Sequence, residues 1–139
     1  MKDENCRYCT HTTDIMEPVA DMEVSTLYIT RDQTYRGRCI LAFKDHKAEL
    51  FQLSPADMEA FGRDLTKSAR AIYDAFSPGK INYAAYGDTY PHLHFHLVPK
   101  YKDGKSWGGP FELTLGADPA GIVSPDELTK LIEQIKRKL

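Results

Sequence analysis

The apolar positions of the chain fall into two periods. Residues 23–30 (EVSTLYIT) are rich in β-branched and aromatic side chains and predict a strand. A polar turn, RDQTYRG, ends in Gly37. Residues 38–43 (RCILAF) then predict a short buried strand, with Cys39 as a small core residue. Further on the period changes: Met58, Phe61, Leu65, Ala69, Ile72 and Phe76 recur at three- and four-residue spacing and form the stripe of an amphipathic helix. Ser54 is a suitable N-cap, Pro55 fits the first helical position, and Asp57 favours the positive helix end. The stripe runs through Gly62 and stops at SPGK. Residues 81–86 (INYAAY) predict a strand, GDTYP a turn, and residues 92–98 (HLHFHLV) another strand. A last helix opens with Ser124 and Glu127 in a capping-box pattern and runs to Leu139, with basic residues near its end.

Links as short as RDQTYRG and GDTYP suit antiparallel neighbours rather than crossovers through helices. No repeat, low-complexity tract or linker divides the chain. Residues 1–139 therefore read as one α+β domain, with an N-terminal segment over 1–22 and a loop and helix over 102–139.

The chain is long enough to bury a proper core, and its formal net charge is −2. Nothing in that balance suggests bulk electrostatic binding to nucleic acid or to anionic membranes, so an anionic ligand would need a local site. No apolar run approaches the roughly 20 residues of a bilayer span. The polar start MKDENCRYCTHTTD lacks the apolar segment of a signal peptide, so a cytoplasmic location is expected. Cys6, Cys9 and Cys39 are an odd set with one C-x-x-C pair. Such a set fits a reducing compartment and metal or redox work better than a disulfide framework.

Three of the five histidines, His92, His94 and His96, stand at alternate positions between Pro91 and Pro99. In a strand they share one face, while Leu93, Phe95 and Leu97 share the other. Alternate residues lie about 6.6 Å apart, so His92 and His96 are separated by about 13 Å. Zinc–nitrogen bonds are only about 2.0–2.1 Å long, so one metal cannot readily take all three from a straight strand. The row must divide its labour. A plain solvated face is the bland alternative.

HLHFHLV followed by PKY resembles the motif of the histidine triad (HIT) family, and GRCILAFKDH, with Gly37 and His46, is similar to the segment preceding the family's helix. The N-terminal C-x-x-C occurs in its zinc-containing branch, and the short turn before the triad is similar to a shorter-loop branch. The resemblance spans residues 5–105. It implies a HIT-like fold: an antiparallel sheet of about five strands, one long central helix and a C-terminal helix. It also implies a homodimer and a nucleotide substrate cleaved at its α-phosphate. In this pattern His94 is the nucleophile and forms a covalent nucleotidyl-imidazole, with a backbone carbonyl holding its other nitrogen as donor. His96 then hydrogen-bonds the phosphoryl oxygens. Two displacements at one phosphorus need no magnesium. Cys6, Cys9, His46 and His92 correspond to the family's structural zinc ligands, a Cys₂His₂ set. Their bland readings are a reduced mobile pair and an ordinary surface histidine, with His11 as a competing ligand.

The chain departs from the family pattern twice. Arg38 stands where many members carry a further histidine, and either holds a phosphate or faces solvent. The turn GDTYP replaces a longer phosphate-contacting segment and leaves Asp88 and Thr89 at the expected substrate edge, where an aspartate suits a ribose hydroxyl better than a phosphate. Asp32 and Gln33 form a candidate ribose or phosphate edge, or a plain polar turn. The loop around Trp107 either covers the site or meets a second subunit. Two rival functions stay open: a nucleotide-binding module with little turnover, and a catalytic metal enzyme.

Overall fold

The computed structural model describes residues 2–139. Among these, five strands form one antiparallel sheet: β1 (Met16–Asp21), β2 (Ser25–Thr30), β3 (Cys39–Phe43), β4 (Lys80–Ala84) and β5 (His94–Lys100). Their order in space is β1-β2-β3-β5-β4. Helices α1 (Pro55–Phe76) and α2 (Pro125–Lys136) complete the α+β fold, so the expected five strands, long helix and C-terminal helix are all present. No helix among the described residues is long and apolar enough to cross a membrane.

Strand β1 is the element that the apolar pattern does not reveal. Its sequence MEPVAD carries Pro18 and two acids, and the pairing with β2 is irregular between Pro18 and Ala20. Such a strand is tolerated because it lies at the sheet edge, where an absent N–H leaves no gap in a ladder. The last strand also starts two residues later than the histidine row suggests. His92 N–H closes a tight turn on Tyr90 O at 2.8 Å, so the regular strand begins at His94. Helix α2 stops at Lys136 rather than at the terminus.

Helix α1 forms as its caps predict. Ser54 Oγ accepts from Asp57 N–H at 3.1 Å, and Ser77 ends the helix in the left-handed region at φ 49°. Both helices pack on one face of the sheet. There Leu27, Ile29, Leu41 and Leu97 meet Phe61 and Ile72 of α1 and Leu128, Leu131 and Ile135 of α2. The opposite face carries Tyr28, Ile40 and Ala42, and the pairings Ala42–His94 and Ile40–His96 put the two histidines beside them. That second face is covered by the N-terminal segment through Tyr8, with Met16 at its rim.

A buried carboxylate ties the helix layer to the first hairpin. Asp64 accepts from the N–H groups of Glu23 and Val24 at 3.1 and 2.9 Å and from the Ser25 hydroxyl. Its position on the stripe side of α1 is set by these donors, which belong to the β1–β2 turn and the start of β2. Replacing Asp64 by alanine removes the acceptor of two part-buried backbone N–H groups and of the buried Ser25 hydroxyl. Denaturant unfolding of Asp64→Ala should show a loss of about 3 kcal/mol with an unchanged m-value; a loss within experimental error of zero would refute this role.

Candidate functional site

The histidine row divides as the strand geometry requires. His92, held outside β5 by its turn, points its ring toward the N-terminal segment. Its Nδ1 lies 3.3 Å from Cys6 Sγ, 3.6 Å from Cys9 Sγ and 3.2 Å from His46 Nδ1, and Cys9 Sγ lies 3.4 Å from His46 Nδ1. All four donor atoms fall within 4.8 Å of one another. A tetrahedral ion with metal–nitrogen bonds near 2.0–2.1 Å and metal–sulfur bonds near 2.3 Å sets its donors roughly 3.3–3.8 Å apart. The four distances of 3.2–3.6 Å lie at or close to that spacing. His92 Nε2–H donates to Phe43 O at 2.6 Å, which fixes the tautomer and leaves the Nδ1 lone pair free for a metal. These residues fit a metal ion, and together they would fill a tetrahedral coordination with four protein donors. His11, the competing ligand, instead hydrogen-bonds the Tyr28 hydroxyl through Nδ1 at 2.7 Å.

His94 and His96 stand side by side on β5, with ring centroids 5.3 Å apart, and both are buried. His94 Nδ1–H donates to His92 O at 2.6 Å, so the ring presents Nε2 as its lone-pair nitrogen. Tyr8, the residue inside the C-x-x-C turn, stacks on the His94 ring at 4.6 Å and 28°. Such ring pairs contribute about 1 kcal/mol beyond area burial. Tyr86 and Phe111 flank His96 at 5.9 and 6.0 Å. Burial holds both imidazoles below the usual histidine range. For His96 the drop, to about 3, comes first from burial, then from the neighbouring His94 and Arg38. Both shifts favour the neutral imidazole over the charged ring. Beside them, a hollow of about 120 Å³ is lined by Leu50, Tyr86, His92, His94 and Phe95, among others.

The HIT domain model matches residues 17–103. The chain belongs to the HIT family. At 24% identity it is similar to Protein hit of Bacillus subtilis, covering 98% of this chain and 95% of that one. A histidine triad protein from Sinorhizobium meliloti shares the fold with a TM-score of 0.82 at 20% identity, over 100% of this chain and 96% of that one. A zinc-bound histidine triad family protein from Mycobacterium smegmatis shares it with a TM-score of 0.68 at 17% identity, over 95% and 94% of the two chains.

In this HIT chain the sequence-predicted residues around the histidines take unequal positions. Asp88 and Thr89 are exposed in the bend between β4 and β5. Asp32 and Gln33 instead turn inward. Asp32 accepts from Thr34 N–H and hydroxyl and from Gly116 N–H. Gln33 Nε2 donates to Thr30 O and Arg38 O, while Oε1 accepts from Gly37 N–H. The polar turn is thus locked internally, and Gly37 at its end has a φ of 94° and no room for a Cβ, which would lie 2.5 Å from Phe76.

Arg38 is neither solvent-facing nor free. It is 1% exposed, donates to Glu112 O and Leu113 O at 3.0 Å each, and lies over the Phe111 ring at 5.1 Å. Two residues before Ile40, it has the parity of the histidine face, and there it holds the C-terminal loop. Lys100, also buried, donates to Ser106 O and Gly109 O. Between them the two cations bring Phe111 to His96, so the loop partly covers the site while Trp107 rests over Gly79.

Tyr8, Tyr86 and Phe111 are the site neighbours that sequence reading misses. Only Tyr8 had a legible signal: it lies between the two cysteines whose thiols meet His92, which places it close to the histidine row.

Stability should report the buried neutral His96. Between its ordinary value near 6.5 and about 3, the unfolded chain binds a proton that the folded chain excludes. Folding is therefore unpenalised above pH 6.5 and loses stability as pH falls through that window, by at most about 1.4 kcal/mol per pH unit. The unfolding free energy of His96→Asn should fall less steeply than that of the wild type between pH 6.5 and 4.5; parallel slopes would contradict it.

Proposed function

We propose that this HIT protein binds nucleotides and cleaves nucleotide conjugates at the α-phosphate, as a hydrolase or nucleotidyl transferase acting through a covalent histidine. The observation that carries this reading is the 2.6 Å hydrogen bond from His94 Nδ1 to His92 O, which aims a neutral Nε2 lone pair away from the sheet backbone. Nε2 attacks phosphorus, the bond to the leaving group breaks, and the leaving group departs with its electron pair and takes up a proton. The nucleotidyl-imidazole then carries positive charge on a ring whose Nδ1–H faces a carbonyl, which favours it. Water attacks the same phosphorus, the Nε2–phosphorus bond breaks, and a nucleoside monophosphate leaves while His94 returns to its neutral form.

His96 donates to the phosphoryl oxygens as charge develops there. Its buried Nδ1 has no hydrogen-bond partner within the described residues, which supports a role toward a ligand rather than toward the fold. Asp88 and Thr89, exposed in the bend before β5, contact ribose hydroxyls. Arg38 acts from behind, by holding the loop that carries Phe111. Dinucleoside polyphosphates and nucleoside phosphoramidates are the substrate classes, and the protein works in the cytoplasm, where its thiols stay reduced.

The ion in the Cys6, Cys9, His46 and His92 cluster is zinc, held for structure. The two thiolates and two imidazoles, with His92 already fixed by Phe43 O, support that choice. When bound, it supplies folding energy by tying the N-terminal segment to the sheet. The protein is a homodimer. Strand β4 offers an unpaired sheet edge, and beside it a groove of about 530 Å³ is lined by exposed Tyr73 and Tyr83.

Hydrolysis of adenosine phosphoramidate and of diadenosine tetraphosphate should be measured for wild type and His94→Ala. Wild type should turn over at least one, with release of AMP, and the variant should lose about 10³-fold or more in kcat while remaining folded. Elemental analysis of the same preparations should give about one zinc per chain. Nucleotide binding without cleavage would favour a binding module, and activity surviving in the variant would mean another nucleophile. Sedimentation should return twice the 15.8 kDa chain mass; a monomer would refute the dimer.

A further inference from the structure

Tyr8 has a position that the nucleotide chemistry above does not use. It lies between the two cysteines of the metal cluster, so ligation of Cys6 and Cys9 fixes the backbone on both its sides. Its ring is 5% exposed and is sandwiched against the second face of the sheet. One neighbour is Tyr28, edge-on at 6.3 Å. Another is the metal-ligating His92 at 5.4 Å. The closest is His94, stacked at 4.6 Å with planes inclined by 28°. The side chain of a metal-site turn therefore covers one face of the imidazole that carries Nε2.

A histidine held by one hydrogen bond can still rotate about that bond. His94 has its Nδ1–H on His92 O, which sets one point of the ring. A second contact, on the ring face, is needed to set its plane. Tyr8 supplies that contact, and the partner carbonyl belongs to His92, itself a member of the cluster. Both restraints on His94 thus originate in the metal centre: one through the His92 backbone, the other through the side chain between Cys6 and Cys9.

We infer that Tyr8 is a positioning residue for His94, and that metal ligation by the C-x-x-C turn sets the plane of the nucleophile's ring through it. The inference rests on the reading of His94 as nucleophile, and its physical part, the coupling of ring position to metal ligation, can be read without turnover. Tyr8 does not touch substrate. It narrows the range of ring orientations, so that Nε2 meets phosphorus along the line of displacement. An aromatic ring is required because a flat face restrains a flat face, whereas the hydroxyl is not.

The test uses the metal-loaded protein with Tyr8→Phe and Tyr8→Met, the second having similar bulk and no ring. Tyr8→Phe should keep kcat within about twofold of wild type. Tyr8→Met should lower kcat by about 10- to 100-fold with KM within about twofold, at unchanged zinc content. Separately, proton NMR of the His94 Cε1–H should show a resonance moved upfield by the Tyr8 ring. That resonance should shift downfield in Tyr8→Met, and also in wild type stripped with EDTA while the β2–β3–β5 amide pattern persists. If Tyr8→Met is folded and keeps wild-type kcat, Tyr8 is a core filler and the inference fails. If stripping leaves the His94 resonance in place, the coupling to the metal fails even where Tyr8→Met is slow. Should wild type cleave neither nucleotide, the hydrolase reading falls on that result, and the resonance alone decides the coupling. Should Tyr8→Met not fold, stripped wild type still decides the coupling.

Discussion

His92 uses its polar atoms in four directions, and most of the site depends on that distribution. Its N–H closes the turn on Tyr90 O, its Nε2–H donates to Phe43 O, its Nδ1 joins the thiols and His46, and its carbonyl receives His94 Nδ1–H. The bond to Phe43 O decides the tautomer, and the tautomer decides that Nδ1 offers a lone pair rather than a proton. The turn decides that the residue leaves the strand, and only a residue outside the ladder can give its carbonyl to the ring two positions on. The side chain of His92 meets the Cys/His cluster and its backbone carbonyl meets the His94 ring, so the two groups of this HIT chain are joined through one residue.

The second face of the sheet differs from the first in what covers it. Helices seal the first face with Phe61 and aliphatic side chains, while the second is covered by a short N-terminal segment and a loop, through Tyr8 and Phe111. That cover is thin and aromatic, and it depresses the imidazole pKa values without sealing off the hollow beside them. Two buried cations maintain the loop. Arg38 and Lys100 lie against backbone carbonyls of the loop rather than against a paired carboxylate. Buried charges satisfied by carbonyl dipoles hold a segment at several points at once, and each carbonyl so engaged is a polar group that the loop need not expose to water. Burial pulls the Arg38 guanidinium down, with Asp32 opposing that effect, but an arginine keeps its charge through such a shift.

The chain's local patterns determined a good deal of this. The spacing from Met58 to Phe76, with Ser54 and Pro55 ahead of it, was sufficient for α1, because caps and an amphipathic stripe act within one element. Alternation in HLHFHLV was sufficient to put Leu97 in the helix-covered core and His94 and His96 together on the other face, and rise per residue alone required His92 to do something else. The motif and the C-x-x-C carried the family. Strand β1 was not legible, since a proline-bearing edge strand is defined by its partner rather than by its own periodicity.

Tertiary structure alone decided what each polar residue faces. Cys6 reaches His92 across 86 positions of sequence, and no local pattern reports a meeting at that separation. Arg38 has the same sequence neighbourhood whether it points at water or under Phe111, and it was the loop packed from the far end of the chain that buried it. Asp32 and Gln33 look like an exposed polar edge until Gly116 N–H and Gly37 N–H arrive to engage them. Periodicity records that a face is covered. The identity of the cover, here the ring of Tyr8 on His94, is a long-range contact, and it follows only from the folded path of the whole chain.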